Sequence, residues 1–146
     1  MRVTMQDQAG LLEWAAPRMI GMAAARLPDE TIGIGVFDGA DSLRAVICMN
    51  AFYDHQASIH IASDGGRAWA DRKVLALVFS YAFRYRRLLR LEARTSTKNT
   101  AATVLMVKLG FKIEGVAKCG AHDGGDAIVG AMLAQDCPWL PSSPME

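Results

Sequence analysis

Leu91 and Ala93 alternate with Glu92 and Arg94 at the period of a strand, after which Ala102, Leu105, Met106 and Leu109 recur at helical spacing. The polar run from Ser96 to Asn99 separates the two periods. Asn99 can cap the helix with its side-chain oxygen, and Gly110 falls where helices end in the left-handed conformation. Leu91 to Gly115 therefore predicts a strand, a turn, a short helix, a glycine stop and a second strand from Phe111. Upstream, Ile32, Ile34 and Val36 alternate with Gly33 and Gly35 and lead into the turn pair Asp38-Gly39. Leu43, Ala45, Ile47 and Met49 make the return strand. Ala57 to Ala62 makes a third, with Ile59 and Ile61 on one side and Ser58 and His60 on the other. Strands in direct succession imply an antiparallel meander. The two glycines leave one face nearly bare, which suggests close approach by a helix or a ligand.

The remaining apolar positions predict helices. Leu75, Val78, Phe79 and Ala82 keep helical spacing after a glycine-bearing turn. Leu11 to Leu27 is rich in Ala and Met, and Pro17 divides it. A proline fits the first turn of a helix but not its interior, so a helix is expected from about Pro17 to Arg26, with Met19, Met22 and Ala23 toward the core. Past Gly115, Val116 to Gly125 reads as a hairpin with Asp123-Gly124-Gly125 at or near its turn, and Ala127 to Leu133 as the final strand. In the proline-bearing tail only Trp139 and Leu140 are expected to dock. The order is helix, three strands, helix, strand, helix, two strands. This is an α+β chain with a mixed, mostly antiparallel central sheet flanked by helices. The crossover after the third strand makes that strand parallel to the next.

Composition narrows the class. The chain has 146 residues, enough for one domain with one sizeable core, and is 51% hydrophobic and 21% charged, the balance of a globular protein. A net charge of +1 singles out no partner. Arg84, Arg86, Arg87, Arg90 and Arg94 raise the question of nucleic acid, but Arg84 to Arg87 lie at a helix end, where cations complement the dipole, and no stacking platform is interleaved. Nucleic acid is not expected as a partner. Cys48, Cys119 and Cys137 are odd in number, far apart and without a C-x-x-C pair, so neither disulfides nor a metal site is expected. Reduced thiols point to the cytoplasm. No apolar run approaches the roughly 20 residues of a membrane span, and the N-terminus lacks a signal-peptide pattern.

The turn between Ala62 and Lys73 is the first candidate for chemistry. A strand, a glycine-bearing loop and a helix start aim backbone N–H groups and the positive end of the helix dipole at one spot, which suits a pyrophosphate or ribose phosphate. Arg67, Arg72 and Lys73 add positive charge there; the alternative is an ordinary tight turn with solvated basic residues.

Asn99 opening a helix, followed by Lys108 to Phe111 (K-L-G-F) and by Glu114 with Gly115, resembles the second half of the GNAT acetyltransferase fold. The likeness runs from about Trp14 to Leu140. It is nearest the RimJ/RimL type and, in the D-G-G-R-x-W loop and the D-G-G-D before a G-x-M-L strand, small GNAT-like proteins of phages. The resemblance implies acetyl-CoA as co-substrate, with its pyrophosphate on Gly65, Gly66, Arg67, Ala68 and Trp69, and Arg72 beside it. It also implies pantetheine along Ile61, Ala62 and Ser63, with Asn99 opposite. The family's loop pattern is Q/R-x-x-G-x-G/A; here the matching positions hold Asp64, Arg67 and Trp69. The Tyr that serves many of these enzymes as acid corresponds to Met106, and the Ser of RimL-type enzymes to Ala102. Glu92 matches the strand glutamate of RimI-type enzymes and stands first as proton acceptor, with His60 second because a neutral imidazole accepts a proton near pH 7. Two functions follow: an N-acetyltransferase acting on an amine of a protein or small molecule, or a GNAT-fold module that binds CoA or a protein without turnover. The resemblance further implies a homodimer, through Trp139, Leu140 and the late hairpin.

Overall fold

The computed structural model describes residues 1–19 and 23–142. Among them, seven strands form one mixed sheet in the order β1-β2-β3-β4-β5-β7-β6. The strands are β1 (Arg2–Thr4), β2 (Ile32–Phe37), β3 (Leu43–Tyr53), β4 (Gln56–Ser63), β5 (Arg90–Ser96), β6 (Lys112–Ala117) and β7 (Ala127–Leu133). The helices are α1 (Gln8–Met19), α2 (Arg72–Ser80) and α3 (Thr100–Leu109), with a π-helical turn Tyr81–Tyr85 extending α2. All pairings are antiparallel except β4 with β5, the crossover pair. The alternation and helical periods in the sequence located these elements apart from α1 and β1; β1 was missed because three residues at an edge are too short for a period.

The helix expected over Pro17 to Arg26 is displaced. Pro17 lies inside α1, which begins at Gln8. A proline deprives the helix of one N–H, and here this happens close to the Met19 end, where Arg18 Nη1 donates to the Trp14 carbonyl at 2.7 Å. The upstream turns are held by burial of Leu11, Ala15 and Ala16. Ala23 is extended and exposed, ahead of a separate 3-10 turn Ala24–Arg26; Met19 packs as expected, and Met22 lies outside the described residues.

The sheet separates two apolar layers. Ile34, Val36, Ile47, Met49 and Ile59 meet Phe79 and Val78 of α2 and Met106 and Leu109 of α3 on one face. Leu11 and Ala15 of α1 meet Val46, Cys48 and Ala62 on the other. The bare face at Gly33 and Gly35 is where α1 approaches: a methyl on Gly35 would come within 2.6 Å of Leu11 Cδ2. Gln8 at the start of α1 bonds the Gly33 backbone through both ends of its amide, each at 2.8 Å. The tail docks on its own chain, with Trp139 Nε1 donating to the Leu109 carbonyl at 2.7 Å.

Candidate active site in a splayed sheet

The parallel pairing of β4 and β5 lasts for Gln56↔Arg90, Ala57↔Leu91 and Ser58↔Glu92 only. Beyond Ser58 the strands diverge, while β4 stays paired to β3 as far as Ser63. Asp64 N–H donates to the Arg44 carbonyl on the β3 side, so by strand alternation the N–H of Ala62 also points to β3. Those of Ile61 and Ser63 point into the opening. The His55 carbonyl, which accepts from Leu89 and Arg90 on the β5 side, confirms the alternation. Ala62 is buried against α1, and the open amides are those of its neighbours.

The opening widens into a cavity of about 780 Å³ that reaches both faces of the sheet. Ile61, Asn99, Ala102, Leu105 and Met106 line it on the α3 side, and Asn50, Ser58, His60, Arg18 and Arg26 on the α1 side. A second cavity of about 550 Å³, between the α2 loop and α3, shares Arg67, Ala101, Leu105 and Leu109 with the first.

His60 sits in a polar chain that fixes its tautomer. Thr31 Oγ1 donates to the Pro28 carbonyl at 2.6 Å, so it accepts from Asn50 Nδ2 at 3.3 Å. Asn50 Oδ1 is thereby turned toward His60 Nε2, 3.1 Å away, and accepts its proton. Nδ1 is left as the acceptor, with no partner among the described residues. Burial, and secondarily the charge of His122, push the imidazole pKa down to about 4. His60 is neutral at pH 7 and receives a proton only weakly. Asn50, at 4% exposure the one buried polar side chain among the described residues, was not singled out by the sequence; its signal was a polar residue directly after the apolar run Ala45 to Met49.

Glu92 stands elsewhere. It does not line the cavity, and its oxygens accept from Arg90 at 3.0 Å and Arg94 at 3.2 Å. Arg90 also bonds Glu114 at 2.7 Å, making a four-membered charge network on the sheet surface.

The loop before α2 is built differently from a bare anion cradle. Ser63 Oγ accepts from Gly65 N–H at 3.2 Å, and Asp64 Oδ1 from Gly66 N–H at 3.1 Å. The Gly66 N–H, and after it Arg44, hold the Asp64 carboxyl below the usual range. Asp71 caps α2 by accepting from Val74 N–H at 2.8 Å, so a carboxylate already occupies the helix N-terminus. Trp69 is not at the loop surface: it is 1% exposed, beneath the loop, with Nε1 donating to the Gly66 carbonyl at 3.0 Å. Ala68 and Arg67 are exposed, and Arg67 lines both cavities. Arg72 turns away to stack over Trp139 at 5.4 Å.

Asn99 caps α3, accepting from Ala102 N–H at 3.0 Å, which leaves its Nδ2 group free to donate into the cavity it lines. Ala102 and Met106 line the same wall, so the positions that matched the family's acids face the opening with inert side chains.

No protein-family model and no curated protein matches this sequence. Solved structures do. Mutant forms of the spermidine/spermine N-acetyltransferase SpeG from Vibrio cholerae superpose with a TM-score of 0.63 at 17% identity, over 73% of this chain and 69% of theirs. A ribosomal-protein-S5-alanine acetyltransferase from Vibrio fischeri superposes with a TM-score of 0.60 at 18% identity, over 76% of this chain and 64% of that one. The chain has the GNAT acetyltransferase fold. It spans about two thirds of the length of these proteins. Within the GNAT fold, the short parallel pairing of β4 and β5 is the feature that opens the cavity. No helix among the described residues is long and apolar enough to cross a membrane, and no cluster of metal-binding side chains occurs among them.

Proposed function

We propose that this protein is an N-acetyltransferase that moves an acetyl group from acetyl-CoA to an amine. The observation that carries the reading is the splay beyond Ser58, which leaves the amides of Ile61 and Ser63 without a strand partner beside a cavity that crosses the sheet. Those amides suit the extended pantetheine arm, and Asn99 Nδ2 can donate to it from α3. The pyrophosphate end fits less closely, because Ser63, Asp64 and Asp71 already hold loop and helix amides. Arg67, at the junction of the two cavities, and Lys108, on the wall of the second, are cations that can meet its charge.

In the transfer, the amine nitrogen attacks the thioester carbonyl, a C–N bond forms, the C–S bond breaks and the thiolate leaves. With the Ser63 N–H on the pantetheine arm, the Ile61 N–H, whose strand the β3–β4 ladder holds rigid, serves the developing oxyanion without reorganising. His60 Nδ1 accepts the amine proton, directly or through a water, and solvent protonates the thiolate in place of the missing hydroxyl at Met106. A base with a pKa near 4 is weak, so proximity of the two reactants supplies most of the acceleration. Glu92, ranked first from the sequence, falls behind His60 because it must leave an arginine before it can take a proton.

Met106 and Ala102 in the cavity wall favour one other reading, a CoA-binding module without turnover. Calorimetry with CoA and a thiol-release assay with mixed amine acceptors separate them: the enzyme gives heat and thiol, the module heat alone, and no heat with millimolar CoA overturns both.

A further inference from the structure

The half of the cavity on the α1 side is lined by cations that lack carboxylate partners among the described residues. Arg18 donates to the Trp14 carbonyl and stacks over the Trp14 ring at 3.8 Å, contacts that position its charge without neutralising it. Arg26 follows on the 3-10 turn and forms no ion pair among the described residues, although Asp29 and Glu30 lie close in sequence. Arg94, also on the wall, is compensated by Glu92. The one carboxylate in the lining among the described residues is Asp123, which accepts from Ser96 Oγ at 3.0 Å and from Gly125 N–H at 2.8 Å. A polyamine entering here would meet Arg18 and Arg26 at the mouth and a single occupied carboxylate within.

Resting on the acetyltransferase reading, we infer that the acceptor is an amine that carries its own carboxylate, bound with the carboxylate toward Arg18 and Arg26 and the amine toward His60. A planar guanidinium pairs bidentately with a carboxylate, and partial burial of such a pair strengthens it over a fully solvated one. The charge that attracts this class repels the polyamines on which the SpeG enzymes, by their name, act. Two sources supply the chemistry: a free amino acid, or the N-terminus of an acidic peptide.

Binding of reaction products tests the inference without requiring turnover. The probes are N-acetylglutamate, an N-acetylated acidic tripeptide and N-acetylspermidine, each titrated by calorimetry into the whole protein saturated with CoA and again without CoA. One or both carboxylate probes should bind at least tenfold more tightly than N-acetylspermidine, and the tighter of the two identifies the source. Replacing both arginines (Arg18→Gln with Arg26→Gln) should remove about tenfold of that affinity, or about 1.4 kcal/mol, and flatten its salt dependence. Both side chains are exposed, and the thermal midpoint of the variant, measured alongside, checks that the fold is kept. Equal or tighter binding of N-acetylspermidine, no binding of either carboxylate probe, or an unchanged affinity in the double variant overturns the inference. Failure of CoA to bind while a carboxylate probe still does would overturn the acetyltransferase reading alone.

Discussion

Asn50 Oδ1 lies 3.1 Å from His60 Nε2, diagonally across the β3–β4 ladder, and makes Nδ1 the proton-accepting nitrogen. Asn50→Asp should place a negative charge at that distance, which favours the imidazolium and raises the imidazole pKa. In the wild type, activity should fall with acidity through about pH 4. In Asn50→Asp that limb should move toward neutrality. A pH–rate profile unchanged by the substitution would remove His60 from its assigned role.

The same shift has a consequence for stability. The folded-state pKa of His60, about 4, lies below the unfolded value near 6.5, so the unfolded chain binds more protons between these limits. The contribution of the neutral imidazole is present in full above about pH 6.5 and is lost as the pH falls toward 4. It amounts to at most about 3 kcal/mol, less for partial solvent access. Thermal midpoints measured from pH 7 to pH 4 should fall less steeply in His60→Gln than in the wild type.

Glu92→Gln should act on stability more than on turnover. Loss of the charge weakens two bonds in a partly exposed network, an effect of about 1 kcal/mol. Turnover in the thiol-release assay should change less than in His60→Ala. A larger loss of rate in Glu92→Gln would restore the glutamate as the base.

The packing of α1 on β2 depends on glycine. Gly35→Ala would press a methyl to within 2.6 Å of Leu11 Cδ2, and Leu11 is 4% exposed with little room to move. Overpacking of this kind destabilises by about 1–3 kcal/mol, readable as a shift in the denaturant midpoint. Gly39→Ala, with nothing within 4 Å of the added methyl, should be close to neutral.

Trp139 and Leu140 pack on the chain's own core, whereas β6, at the sheet edge, exposes Ile113 at 53% and Val116 at 54%. We propose that the chain forms a homodimer that pairs through β6, and that Ile113→Lys shifts it to monomer in sedimentation. A wild type that sediments only as monomer at high micromolar concentration would end this proposal.

Local period and punctuation were enough to place most elements, because alternation and helical spacing are properties of neighbouring residues. Asn99 as cap and Gly110 at φ 108° were legible for the same reason. Gly33 and Gly35 announced a close approach, but only the tertiary structure showed that α1 makes it. Pro17 misplaced that helix, since burial of Leu11, Ala15 and Ala16 outweighs one missing donor. Likewise the sequence put His60 and Ser58 on one face of β4, yet could not show that β5 leaves β4 after Ser58. Nor could it show Asn50 reaching His60, Trp69 turning beneath its loop, or Glu92 held between two arginines. Each of these depends on contacts between residues distant in the chain or on side-chain direction, and neither has a period to read. The sequence by itself determined the order of the elements after β1; packing between them decided which polar groups face the cavity.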